Sequence, residues 1–239
     1  LSLVGSDMCI RDRFNSAVTD IFRNEYLSPR SPYTTLQIPK QGIGEWCHPL
    51  HTVDIDDSGL RSSVQKGVLN TKLGVPFRTP AEGQNIAFTS LWDNYPDSLT
   101  VSLKGKASRA YLLMAGSTNH MQCHIDNGLI RVYYKDGTCD KMALRNPDNW
   151  APIEHIFFED DLAFNRHAPA LYRLRLKTGE ISNNFGEELG FPGASRELDG
   201  GAAILLEMPL NPDKKLSHLV LETLSNDVVI GLMGITLQR

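Results

Sequence analysis

Residues 86–150 constrain the fold more than any other part of the chain, because their apolar side chains recur with a period of two. Leu99, Val101 and Leu103 are interleaved with Ser98, Thr100 and Ser102, the pattern of a strand with one face on a core and the other in water. An apolar run at 86–91 precedes it, followed by Trp92-Asp93-Asn94-Tyr95-Pro96-Asp97, a turn that carries two aromatic rings. After Lys104-Gly105-Lys106, residues 110–115 are apolar on both faces, as expected of a central strand covered on both sides. Helical spacing never sets in, so the stretch predicts an antiparallel ladder.

Within it, Ile130, Val132 and Tyr134 share a face, Asp136-Gly137 marks a turn, and 139–144 returns. A strict two-residue turn sets Val132 opposite Lys141 and Ile130 opposite Ala143. A three-residue loop, Asp136-Gly137-Thr138, sets Val132 against Met142 and Ile130 against Leu144. The apolar match predicts this bulged hairpin, since a one-residue slip sends the buried set to the wrong face.

Further strands are expected at 51–55, 121–125, 153–158, 171–177, 203–208, 218–224 and 228–237, with single helical turns at 162–165 and 186–189. Short strands broken by Gly, Pro, Asn and Asp indicate a mainly β chain, an antiparallel sandwich over 51–239. The last strand runs almost to the final residue, which suits a jelly roll that pairs its first and last strands. One α-helix precedes the sandwich: Phe14, Val18, Ile21, Phe22 and Tyr26 fall on one helical face, with Asn15 or Ser16 as cap. With Ser28-Pro29-Arg30-Ser31-Pro32 behind it, 14–32 looks like the terminal helix and exit linker of an upstream domain, and 33–50 like an interdomain loop. Residues 1–13, LSLVGSDMCIRDR, resemble the translation of a transposon-based sequencing adapter, with Asp7 standing where the adapter encodes glutamate. An ordinary exposed leader is the other reading.

Charge is nearly balanced, 24 basic against 28 acidic residues, so net charge leaves no footprint for nucleic acid. No apolar run approaches the length of a membrane span. Cys9 falls in the leader, and the spacings of Cys47, Cys123 and Cys139 fit no zinc pattern. Cys123 and Cys139 flank the hairpin; they either pair in an oxidising compartment or are small buried hydrophobes. G-x-S-x-G, P-loop and dinucleotide motifs are absent, and with them any cofactor signature.

Four constellations are candidate sites. Asp54-Ile55-Asp56-Asp57-Ser58-Gly59 has the alternating oxygens of a calcium loop, with Asp54, Asp56 and Ser58 as ligands, but Gln65 stands where the motif wants glutamate. A strand ending in an acidic turn is the plainer account. Glu45, Trp46 and His48 form a loop that either packs between domains or reaches a neighbouring active site, where Glu45 beside an aromatic suits sugar chemistry. Trp92, Tyr95 and Trp150, with Asn94 and Asn149, form a sugar-stacking platform if exposed and plug the ends of the core if buried. Arg173, Arg175 and Lys177 share one face of a strand, either as a cationic stripe for acidic sugars or as a solvated face or guarded edge.

The segments SLWDNYPDSLTVSLKGKASRAYLLMAGSTNHMQ, NGLIRVYYKDGT, LRNPDNWAPIE and SNDVVIGLMGITLQR resemble the C-terminal region of a family of large secreted proteins from polysaccharide-degrading gut bacteria. That family is a domain of unknown function that travels with glycoside-hydrolase-like helical barrels. AYLLMAG followed by VYYKDGT is similar to the galactose-binding-like sandwich attached to many glycosidases. The resemblance implies an accessory sandwich that supports an upstream domain of the same polypeptide and contacts polysaccharide or oligosaccharide. It also implies a periplasmic, cell-surface or extracellular location. The alternatives are an independent, non-catalytic carbohydrate-binding module, or a piece lending Glu45 to a glycosidase. The stretch itself carries no known catalytic signature.

Overall fold

In a computed structural model, residues 10–21, 54–91, 95–118, 122–154, 166–185, 198–226 and 228–239 are described. A five-residue helix, α1 (Ser58–Ser62), leads into three very short strands, β1 (Val64–Gln65), β2 (Val68–Asn70) and β3 (Pro76–Arg78). Then follow β4 (Ala87–Ser90), β5 (Ser98–Ser102), β6 (Arg109–Thr118), β7 (Asp126–Tyr134), β8 (Cys139–Arg145), β9 (Tyr172–Arg175), β10 (Ile181–Ser182), β11 (Ala202–Pro209), β12 (Leu216–Thr223) and β13 (Val228–Gln238). They form a six-stranded sheet in the order β10-β9-β11-β6-β13-β4, a four-stranded sheet β5-β12-β7-β8 and a small sheet β1-β2-β3. Every paired strand is antiparallel. The chain is therefore a mainly β, antiparallel sandwich. Its first long-sheet strand, β4, pairs with its last, β13, as a jelly roll requires. No helix among the described residues is long and apolar enough to cross a membrane.

Alternation and burial agree strand by strand. Along β5, Leu99 and Val101 are buried while Ser98, Thr100 and Ser102 are exposed, because one face of the four-stranded sheet meets the core and the other meets water. β6 and β13 lie in the middle of the six-stranded sheet and are buried on both faces. Leu112, Met114, Ile230 and Leu232 face the four-stranded sheet, meeting Ile130, Val132, Leu219 and Leu221. Leu113, Ala115, Val229 and Met233 point the other way, into a second cluster closed by Leu60 of α1, Leu69 and Phe77 of the small sheet, and Ile153. The molecule thus has three layers. Each such side chain, taken fully out of water, contributes about 1.5–3 kcal/mol, so the doubly covered strands anchor the fold.

Four expectations need correction. Over its described part, 14–21, the segment expected to be helical forms a single 3-10 turn, Val18–Asp20, and another, Arg11–Arg13, precedes it. Between them Ser16 pairs with Ile86, and the Asn15 amide clamps the backbone of Phe88. The apolar spacing there serves a strap along the edge of β4: Ile10 and Phe14 enter the core between the large sheets, Val18 and Ile21 the outer core. Second, the β7–β8 hairpin is bulged, but in neither register compared above: Ile130 faces Met142 and Val132 faces Asp140. The Tyr134 N–H donates to Thr138 O and the Gly137 N–H to Tyr134 O, so the loop is Lys135-Asp136-Gly137 with Gly137 at φ 85°. That is a type I turn closed by a left-handed glycine. Third, 122–125 is not a strand, because His124 sits at φ 54° and turns the chain. Fourth, the two described residues of the strand expected at 153–158, Ile153 and Glu154, lie outside any strand. The turns expected at 162–165 and 186–189 lie outside the described residues.

Cys123 and Cys139 are not joined by a disulfide. They occupy opposite ends of the β7–β8 hairpin, a separation of roughly 20 Å from the rise along a strand, far beyond disulfide reach.

Candidate functional site

The six-stranded sheet is not covered along its whole outer face. Where the small sheet ends, Tyr111 of β6 stands opposite Glu207 of β11, and Leu205 opposite Tyr172 of β9. This patch forms one wall of a cavity of about 590 Å³, closed by Leu73, Met142 and the turn that follows β8, with Asp148 and Asn149. Four large apolar side chains among the described residues are exposed, and two of them, Tyr172 (40%) and Leu73 (39%), line this cavity. Paired surface hydrophobes around a concavity mark a contact surface more strongly than either residue alone. Carboxylates frame the rings: Glu207, ion-paired with Arg109, and Asp148.

Asp148 also belongs to a cluster of a different kind. The His124 N–H donates to Asn146 O at 2.7 Å and the His167 N–H to Asp148 Oδ1 at 2.7 Å, which draws three loops together. Asp148 Oδ2 is 3.9 Å from His124 Nδ1, Asp148 Oδ1 is 3.7 Å from His167 Nδ1, and the two imidazole centroids are 4.7 Å apart. Among the described residues, this is the one group of three His, Cys, Asp or Glu side chains whose ligand atoms converge, all within 4.8 Å of one another.

A buried ionisable pair lies at the end of β6. Glu154 is fully buried; its Oε1 accepts from the Ser117 hydroxyl at 3.4 Å, and Oε2 has no hydrogen-bond partner among the described residues. Burial pushes its carboxyl up to about 7, against the pull of Arg173. Arg173 is buried too, and burial lowers its guanidinium to about 10. Its Nη2 donates to Pro152 O at 2.7 Å and Ala202 O at 3.1 Å.

The residues singled out from sequence are dispersed. Tyr95 is buried against Phe88, with centroids 5.2 Å apart, and Trp150 is fully buried; a stacking platform needs open ring faces, and neither has one. Asn149 reaches the cavity, but its amide is spent on the turn, accepting from Arg145 N at 2.7 Å and donating to Ala143 O at 2.8 Å. Trp92 and Asn94 lie outside the described residues, as do Glu45, Trp46 and His48. Asp54 and Ser58 are exposed, while Asp56 Oδ1 accepts from Ser58 N at 2.9 Å at the start of α1. Asp57 is held by Arg61 and Asn85. Among the contacts of Asp56 and Asp57 are thus a helix start and an ion pair. The cationic stripe is a further correction: Arg173 is buried, Arg175 lies over the Phe185 ring, and only Lys177 is exposed, paired with Asp199.

Sequence reasoning missed the His124, Asp148 and His167 cluster and the Glu154–Arg173 pair. The three cluster residues have no motif spacing, and only the return of β8 and the loop before β9 brings them together. A scan of the chain against protein-family models gives no match, and a search among curated proteins gives none. The functional reading rests on the geometry and on the sequence resemblance.

Proposed function

We propose that this sandwich is a non-catalytic, glycan-contacting accessory domain of a secreted carbohydrate-active protein, and that the cavity beside Tyr111 and Tyr172 is where it takes the sugar. The supporting observation is the pairing of exposed Tyr172 and Leu73 around one concavity framed by Asp148 and Glu207. A pyranose presents an apolar face that stacks on a phenol ring and equatorial hydroxyls that donate to carboxylates. Rings on a sheet face with polar groups at the rim supply both.

Affinity electrophoresis through gels carrying plant polysaccharides tests the reading. The wild-type chain is expected to be retarded by at least one glycan, and Tyr172→Ala to run free in the same gel. Equal mobility of both proteins in every gel would remove glycan contact from the description.

A further inference from the structure

We infer that His124, Asp148 and His167 form a binding site for one divalent transition-metal ion, with zinc the natural occupant. The donor set is two imidazoles and one carboxylate. Imidazole suits zinc and its first-row neighbours, and a carboxylate oxygen completes a mixed set found in three-ligand sites whose fourth position is water. Two atoms bound to a tetrahedral zinc lie about 3.4 Å apart, given bonds of roughly 2.0–2.1 Å. Here the carboxylate–imidazole separations are 3.7 and 3.9 Å, and the widest separation in the group is within 4.8 Å. The two carboxylate–imidazole gaps exceed that spacing by about 0.5 Å or less.

Three features make this more than a chance meeting of side chains. His124 adopts a left-handed backbone conformation, φ 54°, which residues other than glycine rarely take without a compensating interaction. Its amide is fastened to Asn146 O, two residues from Asp148, and the His167 amide to Asp148 itself. The groups come from three separate segments, 122–125, 146–150 and the loop before β9. A bound ion would therefore pin together the loops that form one wall of the cavity, since Asp148 and residues 168–171 line it. This site does not depend on the glycan reading: the ion is recognised by its own ligands.

The test uses the full chain, stripped with a chelator and titrated with zinc(II) by calorimetry and with cobalt(II) by absorption spectroscopy. One equivalent is expected to bind, with a cobalt spectrum of nitrogen and oxygen ligation and no thiolate band. His167→Ala and His124→Ala should each weaken binding at least tenfold, and zinc should raise the melting temperature of the wild type but not of His167→Ala. The His167 side chain is 70% exposed, so metal-free His167→Ala should melt with the metal-free wild type. His218→Ala, which alters a histidine stacked on Tyr133, should bind as the wild type does. Failure of the wild type to bind, wild-type affinity in both cluster variants, or a thiolate band in the cobalt spectrum would each overturn the assignment.

Discussion

Thr89 of β4 and Thr223 of β12 share a hydrogen bond of 2.8 Å across the interface of the two large sheets, both side chains buried. Among the described residues it is one of two buried polar ties in a mostly apolar seam, the other running from the Thr118 hydroxyl of β6 to Asn127 Oδ1 of β7 at 2.7 Å. Thr89 has a second acceptor, Ile230 O at 3.2 Å, and this makes the pair asymmetric. Thr223→Val leaves Thr89 satisfied and should cost about 1 kcal/mol or less. Thr89→Val strands the Thr223 hydroxyl in the core and should cost about 1–3 kcal/mol. The double variant should be more stable than Thr89→Val alone. Urea unfolding of the three proteins checks this, and a Thr223→Val penalty equal to or larger than that of Thr89→Val would contradict it.

The buried Glu154 carboxyl makes stability depend on pH in an unusual direction. Its ordinary value is 4.5 and its folded value about 7, so between these the native chain holds a proton that the unfolded chain has released. Stability from this group is intact below about pH 4.5 and falls as pH rises to about 7, by roughly 3 kcal/mol at most. At the acid end Asp136 works the other way: the Thr138 hydroxyl and Lys214 pull it down to about 2, so its contribution is lost as pH falls from about 3.8. The melting temperature should therefore be highest near pH 5 and decline towards pH 7.5. In Glu154→Gln the decline should flatten, and the difference between the two calorimetric curves isolates this group. Parallel curves would rule the account out.

Much of the sandwich was legible because its strands obey simple patterns. Leu99 and Val101 alternate with polar neighbours, and β6 reads as doubly covered because residues 110–115 are apolar on both faces. The small sheet was not legible: Val64–Gln65, Val68–Asn70 and Pro76–Arg78 are too short for any period to emerge, and their order comes from Leu69 and Phe77 docking on the larger sheet. The hairpin register escaped for a related reason. A shift of two residues keeps Ile130 and Met142 on the same face, so apolar matching alone cannot choose between registers of equal parity. The Arg173 stripe misled because alternation on a strand marks two faces without saying which is covered. Loop 152–154 lies over the face that carries Arg173 and supplies it with carbonyls.

Asn85 joins two parts of the outer layer that no regular structure connects. Its Nδ2 donates to Asp57 Oδ2 at 2.8 Å, and its Oδ1 accepts from Val18 N at 2.9 Å, with the residue wholly buried. Asn85→Ala leaves a buried N–H and part of a carboxylate unmatched, a loss of about 2–4 kcal/mol. Asn85→Asp keeps the shape but sets two carboxyls against each other, so its penalty should be larger at pH 7 than at pH 4. Thermal melts at the two pH values decide the matter; a pH-independent Asn85→Asp penalty would contradict the geometry.

Two glycines should respond very differently to the same methyl group. At Gly137 the backbone is at φ 85° and a Cβ would meet nothing within 4 Å, so Gly137→Ala pays only for the left-handed conformation, about 1–2 kcal/mol. At Gly116 a Cβ would lie 2.0 Å from Val229 O and 2.6 Å from Trp150 Cζ2. Gly116 is what allows the Trp150 ring to lie flush against the paired strands β6 and β13, in the middle of a sheet that cannot shift without breaking its ladder. Gly116→Ala should cost about 3 kcal/mol or more, in the range of deleting the ring itself by Trp150→Ala, about 3–5 kcal/mol. Adding Trp150→Ala to Gly116→Ala should be markedly less than additive, because the ring is one of the atoms the methyl strikes. Equilibrium unfolding of the single and double variants measures the coupling, and simple additivity would show that Val229 O alone excludes a side chain at 116.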